Sequence, residues 1–184
     1  MNNLKSNFDQ RIESTKKAET AVIGRLRKRG WSVSNYKSRL HFNPSHHDKL
    51  IKLKDPMSLF IRHFPDHVAT KGQTILVQTK WAEWKNKRGE VHDAFVMEKD
   101  CAEAMPYYPY PTQIVVVYWI EEVDEFWAAS GDKVVELIMD SSPQTSKRGS
   151  SLPFYSLKRS EFVEFDKLMG EIEKGGGYNE QSDT

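Results

Sequence analysis

The spacing of apolar residues changes several times along the 184-residue chain, and each change marks an element. Across residues 8–29, Ile12, Glu19, Val22, Ile23 and Leu26 fall on or near one helical face, which predicts a first helix. Arg25, Arg27, Lys28 and Arg29 suit the negative end of that helix, and Gly30 is placed to stop it. Residues 31–36 alternate as a strand does, whereas 37–64 mix His46, His47 and Asp48 with short apolar patches and read as a loop holding a short helix or strand. The stretch "PDHVATKGQTILVQTKWA" (65–82) predicts a hairpin turning at Lys71-Gly72-Gln73. A polar insert follows at 83–90, then a helix over 93–105, on which Ala94, Glu98, Cys101, Ala102 and Met105 form a stripe. "QIVVVYWI" (113–120) has the uncharged, β-branched character of a strand buried on both faces. Beyond it the pattern predicts a strand at 125–129, a helix or strand at 133–139 and an amphipathic helix at 159–172 on Phe162, Phe165, Leu168, Met169 and Ile172.

This order, with no internal repeat, predicts an α/β domain: a central mixed sheet flanked by helices, plus an additional C-terminal helix. One domain is expected over 1–174, with the glycine-rich, polar residues 175–184 as a disordered tail. A hydrophobic fraction of 38% supports a core, and the longest apolar run, 114–120, is too short to cross a bilayer, so no membrane association is expected. The single cysteine, Cys101, excludes an internal disulfide and, with no secretory pattern in "MNNLKSNFDQ", points to a soluble cytoplasmic protein.

Charge adds a gradient that the net value of +1 conceals. Residues 1–54 carry 13 Lys and Arg against 4 Asp and Glu, whereas residues 100–184 carry 7 against 16. A basic N-terminal third is consistent with a polyanionic partner, and equally with an ordinary solvated helix in a chain that ends acidic.

The candidate chemistry gathers at the hairpin. Gln78 and Lys80 are two residues apart on one strand and leave it on the same side. Asp66 stands at the mouth of the partner strand. Two oxygen donors and an ammonium suit a hard cation such as Mg²⁺ with an activated water, although a half-exposed hairpin with polar outward positions has the same pattern. Glu19 projects from the helix face predicted to be buried, so it needs either a salt-bridge partner or a polar site to face. Trp81 and Trp84 interleave with Lys85, Lys87 and Arg88 as on a nucleic-acid surface, or pack on the sheet edge. His63 and His67 flank Asp66, Glu98 is expected on the inner face of the second helix, where it either adds to the site or merely bonds Lys80, and Lys147 and Arg148 sit in a Gly/Ser-rich segment. Cys101 has no accompanying histidine motif that would make it a nucleophile.

Pro65-Asp66, eleven residues, then Gln78-Thr79-Lys80 at the end of "TILVQTK" resembles the PD-(D/E)XK nuclease superfamily, whose restriction-endonuclease-like core runs αβββαβ. Glu19, eleven residues before Gly30, matches that family's helix glutamate, and the resemblance spans roughly 8–129. Gln78 stands where the pattern carries an acid; this QxK form resembles Mrr-type restriction endonucleases and one class of homing endonucleases. The resemblance implies a Mg²⁺-dependent DNA endonuclease, with Mn²⁺ able to substitute, that acts as a homodimer or higher homo-oligomer. By the same resemblance Asp66, Gln78 and the Thr79 carbonyl hold the metal, Glu19 joins them directly or through water, and Lys80 positions the attacking water. The products would be a 5′-phosphate and a 3′-hydroxyl. The alternative is a non-catalytic DNA-binding module that keeps the fold but has lost the site.

Overall fold

A computed structural model of the chain describes residues 2–35, 55, 63–85, 89–108, 113–145 and 153–175. Helix α1 (Asn2–Lys28) is followed by strands β1 (Ser32–Asn35), β2 (His67–Thr70), β3 (Thr74–Ala82) and β4 (Ala94–Glu98), then helix α2 (Lys99–Ala104). Strands β5 (Ile114–Ile120) and β6 (Glu125–Ser130), helix α3 (Gly131–Met139), strands β7 (Phe154–Lys158) and β8 (Val163–Glu164) and helix α4 (Phe165–Gly175) complete the chain. The αβββαβ order is present, with one extra strand, β4, between the third core strand and α2.

Six strands form a mixed sheet in the order β1-β2-β3-β5-β6-β8. Only β3 and β5 run parallel, with Gln78 beside Val116 and Lys80 beside Tyr118. The β2–β3 hairpin turns at Gly72, whose φ of 68° is open to glycine at no steric cost, and Lys71 N–H donates to Gln73 O at 2.9 Å. Every residue of β5 is buried, because both faces of the sheet are covered. Val115 and Val117 join Ile75, Val77, Val22, Leu26, Phe165 and Met169 under α1 and α4. Val116, Tyr118 and Ile120 instead meet Phe95, Met97, Cys101, Val134 and Phe162 under α2, α3 and the two-stranded β4–β7 ribbon.

In α1, Ala18, Val22 and Leu26 are fully buried at i, i+4 spacing. Gly30, at φ 84°, ends the helix and turns the chain so that Trp31 N–H donates to Leu26 O. Two of the basic residues of this end, Arg25 and Arg29, face α4. Arg25 and Arg29 pair with Asp166, and Arg29 also pairs with Glu173 at 3.0 Å. Glu173 further accepts from Trp31 Nε1 at 2.8 Å, and Lys71 Nζ lies 3.4 Å away. The charge gradient is thus partly closed inside the molecule: the basic helix meets the acidic C-terminal helix. The Arg25 hydrogen bond holds the Asp166 carboxyl below the usual carboxylate range.

Two predicted elements need correction. The helix over 93–105 begins only at Lys99, because Ala94–Glu98 is a strand that pairs antiparallel with β7 and buries Phe95 and Met97 on alternate positions. The helix over 159–172 begins only at Phe165, after a short 3₁₀ turn (Arg159–Glu161) and β8. The predicted tail beyond residue 175, the segment carrying His46, His47 and Asp48, and the positions Lys87, Arg88, Lys147 and Arg148 lie outside the described residues. Among the described residues no helix is long and apolar enough to cross a membrane.

Candidate active site

Antiparallel pairing of His67 with Val77 brings Asp66, the residue before β2, beside Gln78 and Thr79. Pro65 is buried and restricts the backbone just ahead of it. One carboxylate oxygen, Asp66 Oδ2, accepts from Gln78 Nε2 at 2.8 Å and from the Thr79 backbone N–H at 2.7 Å. That bond fixes the Gln78 amide: its nitrogen turns to Asp66, and Oε1 is the end able to face a cation. Gln78 and Thr79 are 7% and 3% exposed, so these bonds form away from bulk water, where they hold best.

Lys80 leaves β3 on the same face as Gln78, one pleat further on. Its Nζ donates to Glu98 Oε2 at 2.7 Å, with the lysine side chain 17% exposed and the glutamate 58%. Burial alone would lower the Lys80 pKa, but the charge and hydrogen bond of the neighbouring Glu98 carboxylate outweigh it and hold the group above the ordinary lysine value. Lys80 is therefore an ammonium at any physiological pH, suited to orienting a water or offsetting phosphate charge and not to removing a proton. The Lys80 charge in turn holds the Glu98 carboxyl below its ordinary range. Cys101 lies against this pair, and burial pushes its thiol up, so it stays protonated and unreactive.

Two tyrosines brace the site. Tyr108 OH donates to the His63 carbonyl, tying the chain ahead of Pro65 to the end of the α2 segment. Tyr118, opposite Lys80 in the sheet, donates to Val96 O at 3.2 Å and so fixes β4 over β5. Burial raises the pKa of both hydroxyls, so they remain donors.

The structure brings Asp66, Gln78, Thr79 and Lys80 together. Glu19 is placed differently. The end of α1 meets the turn of the hairpin, where Ser32 pairs with Thr70 and Lys71 Nζ donates to Arg29 O, while Lys17 pairs with Glu121, just past β5, at 2.9 Å. The helix thus runs antiparallel to β3 and β5, which puts half-buried Glu19 at the same end of the sheet as Thr79 but on the α1 face, opposite Gln78 and Lys80. His67 is fully buried, with Nδ1 3.1 Å from Asn35 Oδ1 of β1, which makes it a packing residue. Trp84 also packs: the Arg159 guanidinium lies 4.3 Å from its ring and 4.5 Å from that of Trp127. Glu98 is expected from the sequence on the inner face of a helix, adding to the site or bonding Lys80; its place at the end of β4 depends on a strand pairing the local pattern does not reveal.

Among the described residues no three His, Cys, Asp or Glu side chains come together as a metal-holding group. The donors that do converge are one carboxylate, one amide oxygen and a backbone carbonyl. All are hard oxygen ligands of the type Mg²⁺ takes, though they bring a single negative charge.

Comparison with protein-family models and with curated protein sequences finds no match. Among solved structures the chain is similar to D212, a nuclease from a fusselovirus, at 11% identity over 91% of this chain and 92% of that one, with a TM-score of 0.49. It is also similar to the bacterial homing endonuclease I-Ssp6803I, at 18% identity over 91% of this chain and 96% of that one, with a TM-score of 0.46. At these values no residue role passes from either protein to this one.

Proposed function

We propose that the protein is a Mg²⁺-dependent endonuclease that hydrolyses phosphodiester bonds in DNA, a QxK member of the PD-(D/E)XK superfamily. The observation that carries this reading is the convergence of Asp66, Gln78 and Lys80 where β2 and β3 part, with Asp66 Oδ2 bridging Gln78 Nε2 and Thr79 N. Asp66, the Gln78 amide oxygen and the Thr79 carbonyl would hold Mg²⁺, or Mn²⁺ in its place; the bound ion would lower the pKa of a water and offset charge on the phosphate. Lys80, held as an ammonium, would orient the attacking water and offset charge on the phosphate. Glu19, half-buried on the α1 face, would join the site through water. Exposed cations of α1, such as Arg27 and Lys28, together with Lys85, would contact DNA phosphates, whereas Arg25 and Arg29 are occupied by α4. Cutting both strands calls for a homodimer or higher homo-oligomer.

One observation favours the second reading, a DNA-binding module without catalysis. Gln78 Nε2 and the Thr79 N–H both donate to Asp66 Oδ2, which takes up acceptor capacity that a cation would use. Supercoiled and linear DNA incubated with Mg²⁺, Mn²⁺ or EDTA separates the readings. Metal-dependent nicking by the wild type that is lost in Asp66→Asn and Lys80→Met supports the enzyme. Retardation of DNA in EDTA with no cleavage under any metal supports the binding module. Cleavage unchanged in both variants overturns the site.

A further inference from the structure

A site built from Asp66, Gln78 and Lys80 has a formal charge of zero, a weak setting for a divalent cation. Glu98 stands beside it. The residue ends β4 and precedes α2, its Oε2 is 2.7 Å from Lys80 Nζ, and its side chain is still 58% exposed. Its position is built rather than accidental: Met97 is fully buried, Glu98 pairs with Phe154 in the ribbon, and Tyr118 OH holds the Val96 carbonyl one pleat back. Tyr118 is also the neighbour of Lys80 in the sheet, so one residue sets the separation of the lysine from the glutamate. A carboxylate offers about four acceptor positions over its two oxygens, of which the ammonium takes one.

We propose that Glu98 is the second carboxylate of the site, supplying from β4 the negative charge that Gln78 lacks on β3. One oxygen of Glu98 holds Lys80, and the group as a whole gives the Asp66–Gln78 donors the charge needed to retain Mg²⁺. This rests on the metal-dependent reading above and names a residue that the Asp-x₁₁-Gln-x-Lys spacing does not contain.

Calorimetric titration of the DNA-free protein with Mn²⁺ tests the inference without any cleavage assay. The wild type should bind, Asp66→Asn should lose binding, and Glu98→Gln should weaken it about tenfold or more. The same loss should appear when Glu98→Gln is introduced into Lys80→Met, which separates a direct contribution of charge from one made by holding the lysine. Gln78→Glu combined with Glu98→Gln should recover most of the affinity. Glu98→Gln binding within about twofold of the wild type, while Asp66→Asn has lost it, overturns the role of Glu98 and leaves the Asp66 site standing. A Glu98→Gln loss that vanishes in the Lys80→Met background also overturns it. A wild type that binds no Mn²⁺ overturns the inference and the metal-dependent reading together. Unchanged melting of Glu98→Gln in EDTA is expected from the exposure of the side chain and shows that the variant is folded.

Discussion

Replacing Asp66 by alanine tests the clamp at the mouth of the hairpin independently of any chemistry. Two N–H donors lose their acceptor: Gln78 Nε2 and the Thr79 backbone N–H, at 2.8 and 2.7 Å from the same oxygen. Hydrogen bonds to a charged acceptor are worth about 1.5–3 kcal/mol each, so complete loss of both would cost about 3–6 kcal/mol. Two features reduce that figure. Asp66 is only half-buried, so water can enter the space it leaves, and the Gln78 amide can turn. The Thr79 N–H cannot turn, and with its residue 3% exposed it carries most of the penalty. The expected destabilisation is about 2–4 kcal/mol. In a chain of this length that lowers the melting temperature by roughly 4–16 °C. Urea unfolding followed by circular dichroism in EDTA measures it, with the slope m compared to exclude a change in the unfolded state. Asp66→Asn retains an acceptor oxygen and should lose less than half as much. A cost below about 1 kcal/mol for Asp66→Ala would refute the clamp, because a buried N–H without a partner cannot be that cheap.

Lys80→Met should reduce the rate of DNA cleavage by about 10²–10³-fold while changing stability by less than about 1 kcal/mol, since Glu98 is exposed enough to rehydrate. Because Glu98 lies below its ordinary pKa and Lys80 above, their pairing is complete above the usual carboxylate range and below the usual lysine range; it fails only as acid protonates Glu98 or alkali deprotonates Lys80. The Lys80 contribution to the rate should therefore be flat from about pH 6 to 9, and a rise that titrates with Lys80 would show it acting as a base. Gln78→Glu places a carboxylate where Nε2 now donates to Asp66 at 2.8 Å, so in EDTA it should destabilise the protein by about 1–3 kcal/mol, more at pH 8 than at pH 5. Mg²⁺ should restore the melting temperature of that variant, and failure to do so would argue against cation binding between these residues. Glu173→Ala removes the acceptor of Trp31 Nε1, in a residue 2% exposed, and should cost about 1–3 kcal/mol by urea unfolding, with Glu173→Gln milder.

The parts of the fold legible in the sequence are those whose pattern has a single physical reading. "IVVVYWI" is buried on both faces and uncharged, so it could only be an interior strand. The hairpin was marked by Gly72, which its turn requires, and by β-branched residues on either side. The segment 94–105 was not legible, because Ala94, Glu98, Cys101 and Ala102 satisfy helical spacing while Phe95 and Met97 satisfy strand spacing. The choice is made by β7, a strand some 60 residues further on that is short and preceded by Ser, Gly and Pro, so its partner could not be anticipated. The pairing of Arg25 with Asp166, 141 residues apart, is equally invisible to a charge count, which records a basic end and an acidic end without saying that they meet.

The same division explains why most of the site could be read and the placement of Glu98 on a strand could not. Asp66, Gln78 and Lys80 belong to one hairpin, and their convergence follows from its register, a local property. β3 carries both duties at once: Ile75 and Val77 anchor it under α1, and the alternate positions Gln78 and Lys80 face the site. Parallel pairing with the fully buried β5 keeps that strand from shifting, since a slip of one residue would turn Gln78 and Lys80 toward α1 and Val77 and Thr79 toward the site. Glu98 arrives from outside this unit, on a strand held by Tyr118 and by β7. The charge of the site is therefore set by tertiary packing, while its donor geometry is set by the hairpin. A sequence that keeps Asp66, Gln78 and Lys80 can still gain or lose affinity for a cation through residues that only pack β4 against β5.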